Sequence, residues 1–151
     1  MKIALASDHA GFDLKNGILA YLEKRGTDCT DFGCGPGETV DYVDYGVRAM
    51  DAVLRGECDR AILFCGTGLG MAIVANKFRG IRATPCWDVN TAEVARKHND
   101  SNCLALGGRV LILEAAIPIV VAWLELPFEG GRHERRLKKI SDLERKHFKE
   151  Q

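Results

Sequence analysis

Several features are missing from this sequence, and each absence excludes a class of protein. No segment has the uninterrupted apolar run that a membrane span needs, and the apolar stretch after Met1 ends at Asp8. We therefore expect a cytoplasmic protein with no signal peptide and no membrane partner. Lys plus Arg number 21 and Asp plus Glu number 21, so the basic excess of a general nucleic-acid-binding protein is also absent.

Metal-binding and redox motifs are missing as well. The six cysteines include no C-x-x-C pair, which argues against a zinc ribbon or a thioredoxin-like site. No H-E-x-x-H motif and no acidic ligand cluster occurs in the sequence, which argues against a hydrolytic metal site, and we predict no metal site. We also expect no cofactor, because the reaction class that the resemblance below implies requires none. Free thiols in a reducing cytosol are the simplest interpretation of the cysteines.

What the sequence does contain is a regular alternation of short apolar runs and amphipathic stretches. This alternation predicts an open parallel sheet with helices on both faces, and 151 residues suffice for one such domain. The predicted strands are Lys2–Ser7, Asp28–Phe32, Arg60–Cys65, Ile81–Cys86 and Cys103–Leu106. The predicted helices are Phe12–Arg25, Tyr42–Leu54, a segment ending at Phe78, Asn90–His98 with Asn90 as N-cap, Val110–Trp123 and Arg132–Lys146.

The strongest local signal is the glycine-rich loop Cys65–Gly70, which follows a buried strand and precedes a helix. Its three glycines allow backbone amides to approach a ligand, and a helix start adds partial positive charge, so the loop predicts an anion site. The spacing matches neither the dinucleotide motif nor a P-loop. Cys65 at the mouth of this loop suits a general base or nucleophile, or alternatively a small buried core residue.

Other polar residues follow strands or open helices. Asp8–His9 suits ligand binding or proton transfer, or a helix N-cap. His98–Asp100 suits a site or a helix C-cap. Arg109, and the pair Arg132 and Arg136 on one helix face, suit a phosphate or a solvated basic surface. Because ligands of such folds bind at the carboxyl ends of the strands, we expect all these groups at that end of the sheet.

The ordered set of motifs resembles the type B ribose-5-phosphate isomerases, the family that also holds allose-6-phosphate and galactose-6-phosphate isomerases. The resemblance covers essentially the whole chain and implies a three-layer α/β/α, Rossmann-like domain over 1–151 with a five-stranded parallel sheet. The matching motifs are Ser7–Gly11, Asp41–Tyr42, Cys65–Gly70, Asn76–Phe78, Gly80–Ala83, His98–Asp100, Leu104–Gly107 and Gly130–His133.

The resemblance also implies roles in an aldose–ketose isomerisation of a phosphorylated sugar. Cys65 matches the general base, and Thr67 matches the hydroxyl that helps to move a proton between the two oxygens. His98 matches the residue linked to ring opening, and Asp8 lies close to the ring oxygens in the family. The amides of Gly66, Gly68 and Gly70 match the anion hole that binds the enediolate. The residues that match the substrate pocket are Asp41, Tyr42 and Asn99. The residues that match the phosphate clamp are His9, Arg109, Arg132 and Arg136.

In this family the site lies between two subunits, and the His98–Asn99 and Arg109 segments come from the partner. The resemblance therefore implies a homodimer with shared active sites, or a tetramer, and we expect the C-terminal helix at about 132–148 to pack on the partner. The identity of the substrate sugar is left open for two reasons. Val43 stands where many members of the family have Pro, and the sequence of the Cys34–Gly37 loop looks specific to this chain. Ribose 5-phosphate is the first expectation. The alternatives are another phosphorylated sugar (allose 6-phosphate, galactose 6-phosphate or a tetrose phosphate) or a non-catalytic phosphosugar-binding module.

Overall fold

The five apolar runs form the strands of one sheet in a computed structural model, which describes residues 1–148. All four strand pairs are parallel, and the strand order is β2-β1-β3-β5-β4. The predicted five-stranded parallel sheet is therefore confirmed. The strands are β1 (Lys2–Ser7), β2 (Asp28–Asp31), β3 (Arg60–Cys65), β4 (Ala83–Pro85) and β5 (Cys103–Gly107). Positions 149–151 of the predicted domain lie outside the described residues.

Helices cover both faces of this sheet, so the predicted three-layer α/β/α arrangement is also confirmed. α1, α4 and α5 pack on one face, and α2 and α3 pack on the other. The helices are α1 (Phe12–Lys24), α2 (Tyr42–Leu54), α3 (Leu69–Ala75), α4 (Val89–Asn99), α5 (Leu113–Glu125) and α6 (Arg132–His147). Within residues 1–148, none of them combines the length and apolar character that crossing a bilayer requires.

The alternation of side chains along the strands divides the core into two parts. Ile3 and Leu5 of β1 face the α1/α4/α5 layer, where Trp123 is fully buried. The other face is built mainly from alanines, with Met71 as one of its few large side chains. A methyl group added at Gly46 would lie 3.1 Å from the Met71 sulfur, so small side chains are what allow α2 to approach α3.

The predicted end of the helix that follows the glycine loop is wrong. α3 ends at Ala75 rather than at Phe78. The Asn76 side chain accepts a hydrogen bond from the Ala83 amide and donates one to the Ala83 carbonyl, both at 2.9 Å. These bonds tie the chain to β4, and the amides of residues 77 and 78 make only turn-type bonds.

Two other helix starts also differ from prediction. α4 begins after Asp88, not at Asn90, because Asp88 Oδ1 accepts a 2.7 Å bond from the Thr91 amide in a capping box. α5 begins at Leu113, because the amides of Val110 and Leu111 still donate to the Gly107 carbonyl in a turn after β5. Sequence patterns predict that a helix is present. They do not predict which residue begins it, because that depends on which acceptors bind the first amides.

Candidate active site

The ends of β1 and β3 meet at the centre of the sheet, where the strand order changes direction. The Asp8 amide donates to the Phe64 carbonyl at 3.2 Å, which holds the first residue after β1 beside the end of β3. Crevices at such switch points are the usual ligand sites of open α/β sheets. Asp8 is buried, and its carboxylate accepts a 3.0 Å bond from the Gly11 amide. The cap position of α1 is Gly11, so Asp8 shapes the turn without being the N-cap.

The glycine-rich loop begins directly at this switch point. The Gly68 amide donates to the Cys65 sulfur at 3.2 Å, and the Leu69 amide donates to the Thr67 hydroxyl at 3.3 Å. Gly68 has a φ of +84°, a left-handed conformation that favours glycine. Cys65 is 4% exposed, whereas Thr67 is exposed to solvent. The loop therefore holds a shielded sulfur against one main-chain N–H group, that of Gly68.

A second loop, which follows β5, is hydrogen-bonded to the glycine-rich loop. The Gly108 amide donates to the Cys65 carbonyl at 2.8 Å, and the Arg109 amide donates to the Gly66 carbonyl at 3.0 Å. A methyl group on Gly107 would lie 2.8 Å from the Thr67 carbonyl carbon, so the two loops can meet only because Gly107 has no side chain. The Arg109 side chain lies beside Gly66 of its own chain, within 3.5 Å of where a methyl group there would be.

The predicted pocket residues that follow β1 and those at the start of α2 also reach this edge. The Tyr42 ring covers Gly70, where an added methyl group would meet ring carbons at 2.9 Å. Asp41 is the exposed cap residue of α2 and makes no side-chain capping bond. His9 Nδ1 lies 3.1 Å from the Val40 carbonyl oxygen, and His9 borders a small polar cavity formed with the 35–39 loop. The loop that looks individual in sequence thus forms part of the pocket wall.

The remaining predicted site residues lie at the opposite edge of the sheet. α4 runs antiparallel to the strands, so its last residues, His98 and Asn99, lie at the amino ends of the strands. The Asn99 carbonyl accepts a 3.0 Å bond from Arg82, which directly precedes β4. The expectation that all site residues share the carboxyl edge is therefore wrong for a single chain. Arg132 and Arg136, at the start of α6, lie with His98 rather than with Cys65.

His98 and His133 form the centre of this amino-edge group. Their rings stack with centroids 4.1 Å apart and an interplanar angle of 10°. Glu129 Oε2 lies 3.8 Å from His98 Nε2 and 3.9 Å from His133 Nε2. The pKa of His133 is lowered by its burial and by electrostatic repulsion from the neighbouring His98, Arg132 and Arg136 side chains, against the opposing effect of Glu129.

These three side chains are also the one cluster of potential metal ligands found within residues 1–148. One ligand atom from each of His98, Glu129 and His133 lies within 4.8 Å of the others. No sequence motif indicates it, because His98 is separated from the other two by about thirty positions. The i, i+4 spacing of Glu129 and His133 at a helix start is the only local signal.

The turn after α4 is held by a partly buried charge network that the sequence analysis missed. Asp100 accepts hydrogen bonds from Arg82 Nη2 at 2.9 Å and from Arg96 Nη1 at 3.0 Å. Its φ of +45° is the only positive φ of a non-glycine residue within 1–148. This network fixes the end of α4, and so the positions of His98 and Asn99.

A second missed feature is the buried Lys15 on α1. Its side chain is 2% exposed and forms an ion pair with Asp31, the last residue of β2. Asp31 also accepts a 2.8 Å bond from the Gly33 amide. The pair anchors the start of the loop that reaches His9. The sequence signal is a lysine next to the apolar stripe of α1, which is an ordinary surface pattern.

Comparison with known proteins shows which family this chain is related to. A family model described as Ribose/Galactose Isomerase matches residues 3–140. Ribose-5-phosphate isomerase B of Escherichia coli is 48% identical over 145 residues, which cover 96% of this chain and 97% of that protein. D-erythrulose-4-phosphate isomerase of Pectobacterium atrosepticum is 44% identical over 145 residues, which cover 95% of each chain.

A solved structure agrees with the same relationship. Ribose-5-phosphate isomerase B of Clostridium thermocellum superimposes with a TM-score of 0.95 at 50% identity, covering 97% of this chain and 99% of that chain. The similarity therefore extends over the whole sheet and both site regions rather than over one motif. On these grounds the chain belongs to the ribose/galactose isomerase family.

Proposed function

We propose that this protein interconverts ribose 5-phosphate and ribulose 5-phosphate in the cytoplasm, without a cofactor. The observation that carries the proposal is the buried Cys65 sulfur at the switch point of the sheet, which accepts a hydrogen bond from the Gly68 amide of the glycine-rich loop. A protein that only binds phosphosugars needs the amides but has no use for a thiol among them. Family membership supports the same class of reaction.

The proposed chemistry follows from the groups around Cys65. As a thiolate, Cys65 removes the proton from the carbon next to the carbonyl and returns it to the neighbouring carbon. Within residues 1–148, the amides of Gly66 and Thr67 have no hydrogen-bond acceptor, so they are available to the enediolate oxygen. Each such donor is worth about 3 kcal/mol in the transition state. The exposed Thr67 hydroxyl moves the proton between the two oxygens.

The division of the site between two edges of the sheet supports the proposed homodimer. A second copy that places its His98, Asn99, Arg132 and Arg136 against the Cys65 loop completes the predicted pocket and phosphate clamp. An apolar surface next to the loop is available for this contact: Leu69 and Ile73 of α3 are 54% and 62% exposed. Large exposed apolar surfaces of this kind are typical of protein–protein contacts.

Assembly beyond the dimer and the role of α6 belong to the same proposal. The apolar stripe of α6, which includes Leu137, Ile140 and Leu143, borders an apolar cavity shared with Ile81 of its own chain. Ile140 and Leu143 are still 43% and 57% exposed. We propose that the partner subunit covers this remaining surface, and that residues 1–151 form one domain within a dimer or tetramer.

A tetrose phosphate is the second candidate substrate, because one relative of 44% identity is named D-erythrulose-4-phosphate isomerase. A four-carbon 4-phosphate has no free hydroxyl to close a furanose ring, so it makes no use of a ring-opening group. Replacing His98 by Gln should therefore lower turnover of ribose 5-phosphate but leave turnover of a tetrose 4-phosphate nearly unchanged. This difference separates the two substrates by mechanism as well as by rate.

The direct test is deuterium wash-in on a panel of sugar phosphates. We expect solvent deuterium at the reactive carbon of ribose 5-phosphate, and a kcat/KM that exceeds those for four- and six-carbon substrates. A clear preference for a six-carbon or four-carbon sugar would replace ribose 5-phosphate as the substrate. Binding of all sugar phosphates without any deuterium exchange would leave only the phosphosugar-binding module.

A further inference from the structure

We propose that Lys15 is a positioning residue: its buried ion pair with Asp31 holds the 33–40 loop so that the main chain of this loop orients the His9 imidazole. The proposal rests on the proposed function, in which His9 belongs to the phosphate clamp. Because the Lys15 side chain is only 2% exposed, it acts on the phosphate end of the substrate without touching the substrate.

Stability alone is a poor explanation for the buried charge of Lys15. Lys15 follows Leu14 on α1, and both residues are buried. A buried charge needs a partner, and replacing a buried ion pair by apolar side chains of similar volume is often neutral or stabilising. The pair is therefore better explained by what it holds in place than by its contribution to the free energy of unfolding.

The Lys15 ammonium contacts two parts of the wall of the cavity beside His9. Its Nζ atom lies 5.3 Å from the centre of the Phe12 ring, within the range of a cation–π contact. A methyl group added at Gly33 would lie 2.9 Å from the same Nζ atom, so the loop begins directly against the ammonium. Phe12 and the tip of the loop both line the cavity. Removing the ammonium therefore disturbs both parts of this wall.

Asp31 connects the ammonium to the loop. Its Oδ2 atom pairs with Lys15, while its Oδ1 atom accepts a 2.8 Å bond from the Gly33 amide. At the tip of the loop, the Gly35 amide donates to Glu38 Oε2 at 2.8 Å. The loop is thus fixed at its start by the ion pair and closed on itself at its tip.

The far end of the loop holds the His9 ring through the main chain of Val40. His9 Nδ1 lies 3.1 Å from the Val40 carbonyl oxygen and 3.3 Å from the Val40 amide nitrogen. With Nδ1 accepting from this amide, the proton of the neutral ring is on Nε2. Within residues 1–148, Nε2 has no hydrogen-bond partner, so its N–H is available to a phosphate oxygen.

A misplaced His9 should affect substrate binding more than the chemical step. The imidazole holds the phosphate equally in the bound substrate and in the transition state, and the loss of such uniform binding raises KM while kcat stays unchanged. A misplacement of about 1 Å can cost about 100-fold. We expect a smaller effect, about tenfold, because arginines share the phosphate.

Lys15→Met removes the ammonium and keeps an unbranched side chain of similar length. The KM for ribose 5-phosphate should rise about tenfold, and kcat should change less than about twofold. Lys24→Met is the matched control, because Lys24 is an exposed lysine in the last turn of the same helix. Its KM should equal that of the wild type. An unchanged KM in Lys15→Met would overturn the proposal.

A double-mutant cycle with His9→Gln separates positioning from a purely structural role. Because Lys15 acts through His9, Lys15→Met should raise KM about tenfold in the wild type but less than about twofold in the His9→Gln background. A purely structural role predicts effects on KM that are independent of His9. Additive effects of the two substitutions on KM would therefore contradict the proposal.

The ion pair is also tested from its acidic side. Asp31→Asn should raise KM as Lys15→Met does, with the exposed Asp28→Asn on the same strand as the matched control. If a single variant does not fold, the double variant Lys15→Met/Asp31→Asn serves instead, because it buries no unpaired charge. This double variant should keep the raised KM, and a wild-type KM in it would overturn the proposal.

Inorganic phosphate tests the proposal without relying on isomerase activity. Phosphorus NMR should show that Lys15→Met and His9→Gln raise the phosphate dissociation constant by similar factors, and that combining them adds little. This result in a protein that does not isomerise ribose 5-phosphate would keep the positioning role and remove the proposed function. Normal isomerisation by the wild type, with unchanged phosphate binding in Lys15→Met, would do the opposite.

Discussion

The amide of Gly68 points at the sulfur of Cys65 across 3.2 Å, and this contact joins the proposed base to the proposed anion hole. An N–H donor is a favourable partner for a sulfur that carries negative charge. The same turn that holds the sulfur therefore also orients the amides on either side of it. The conformation of this one turn therefore positions both the proposed base and the proposed donors to the oxyanion.

Replacing Cys65 by Ala should lower kcat for ribose 5-phosphate by about 10²- to 10⁴-fold, because a general base contributes that much. Substrate binding should change little, since the amides and arginines remain. Calorimetry with ribose 5-phosphate and deuterium wash-in measure the two effects. The matched control is Cys86→Ala, another buried cysteine, which lies against α4. Unchanged exchange in Cys65→Ala would remove this residue from the mechanism.

Replacing Gly107 by Ala should damage both stability and turnover, because its methyl group would lie 2.8 Å from the Thr67 backbone. Overpacking of this kind lowers the free energy of unfolding by about 1–3 kcal/mol, and here it should also displace the glycine-rich loop. The control is Gly26→Ala, at a φ of +76° with open space around it. It should lose about 1 kcal/mol in urea unfolding and keep its kcat. Equal kcat values in the two variants would contradict this account.

The shared site is tested by mixing two inactive variants. Cys65→Ala disables one edge of the sheet, and Arg136→Ala disables the other. If sites form between subunits, half of the mixed dimers are hybrid and each hybrid has one intact site. Turnover should then recover to about a quarter of the wild-type value after subunit exchange. No recovery in dimers shown by mass spectrometry to be hybrid would mean that each site is built within one chain.

The Asp100 network makes a separate prediction about stability. Asp100→Asn removes the charge that pairs with Arg82 and the buried Arg96, and should cost about 1 kcal/mol for this partly exposed pair. Asp100→Ala should cost roughly 1 kcal/mol more, because alanine tolerates the φ of +45° less well. Urea unfolding measures both. If Ala were no worse than Asn, the left-handed backbone would carry no strain in the native protein.

Cys29 on β2 gives a prediction for alkaline pH. Burial, together with Glu23, Asp28 and Cys58, raises the pKa of the Cys29 thiol to about 11. A raised pKa favours the protonated form in the folded state, so its contribution is complete below the unfolded pKa of about 8.5 and is lost toward pH 11. Cys29→Ala should therefore show a shallower decline of unfolding free energy over this range. Identical slopes would contradict the shift.

The sheet and its order of elements could be predicted from the sequence because buried parallel strands are continuous apolar runs. β1, α2 and β3 begin and end at the predicted residues. The end of α3 could not be predicted, because it depends on Asn76 bonding to Ala83, a contact between distant segments. Local patterns give elements, but the competition for backbone groups at their ends is decided by tertiary structure.

The site could be predicted only in part, for the same reason. The Cys65 loop has a local signature, and the structure places it at the carboxyl end of β3, as expected. His98 lies where the helix after β4 ends, at the amino edge, and no spacing in the sequence shows that this edge is opposite to the edge that holds Cys65. Glu129 was missed because an acidic residue in a loop has no distinguishing pattern.

The proposed anion hole in the glycine-rich loop has a consequence for how relatives of this protein diverge. Its donors are peptide N–H groups, so no ordinary side-chain replacement deletes one, and only proline would. The reactive end of the pocket is in this sense protected from mutational drift. The proposed phosphate clamp consists instead of side chains such as Arg132 and Arg136, each of which a single substitution can replace. New sugar lengths can therefore arise by changing how far the substrate's tail reaches while the carbon chemistry stays the same.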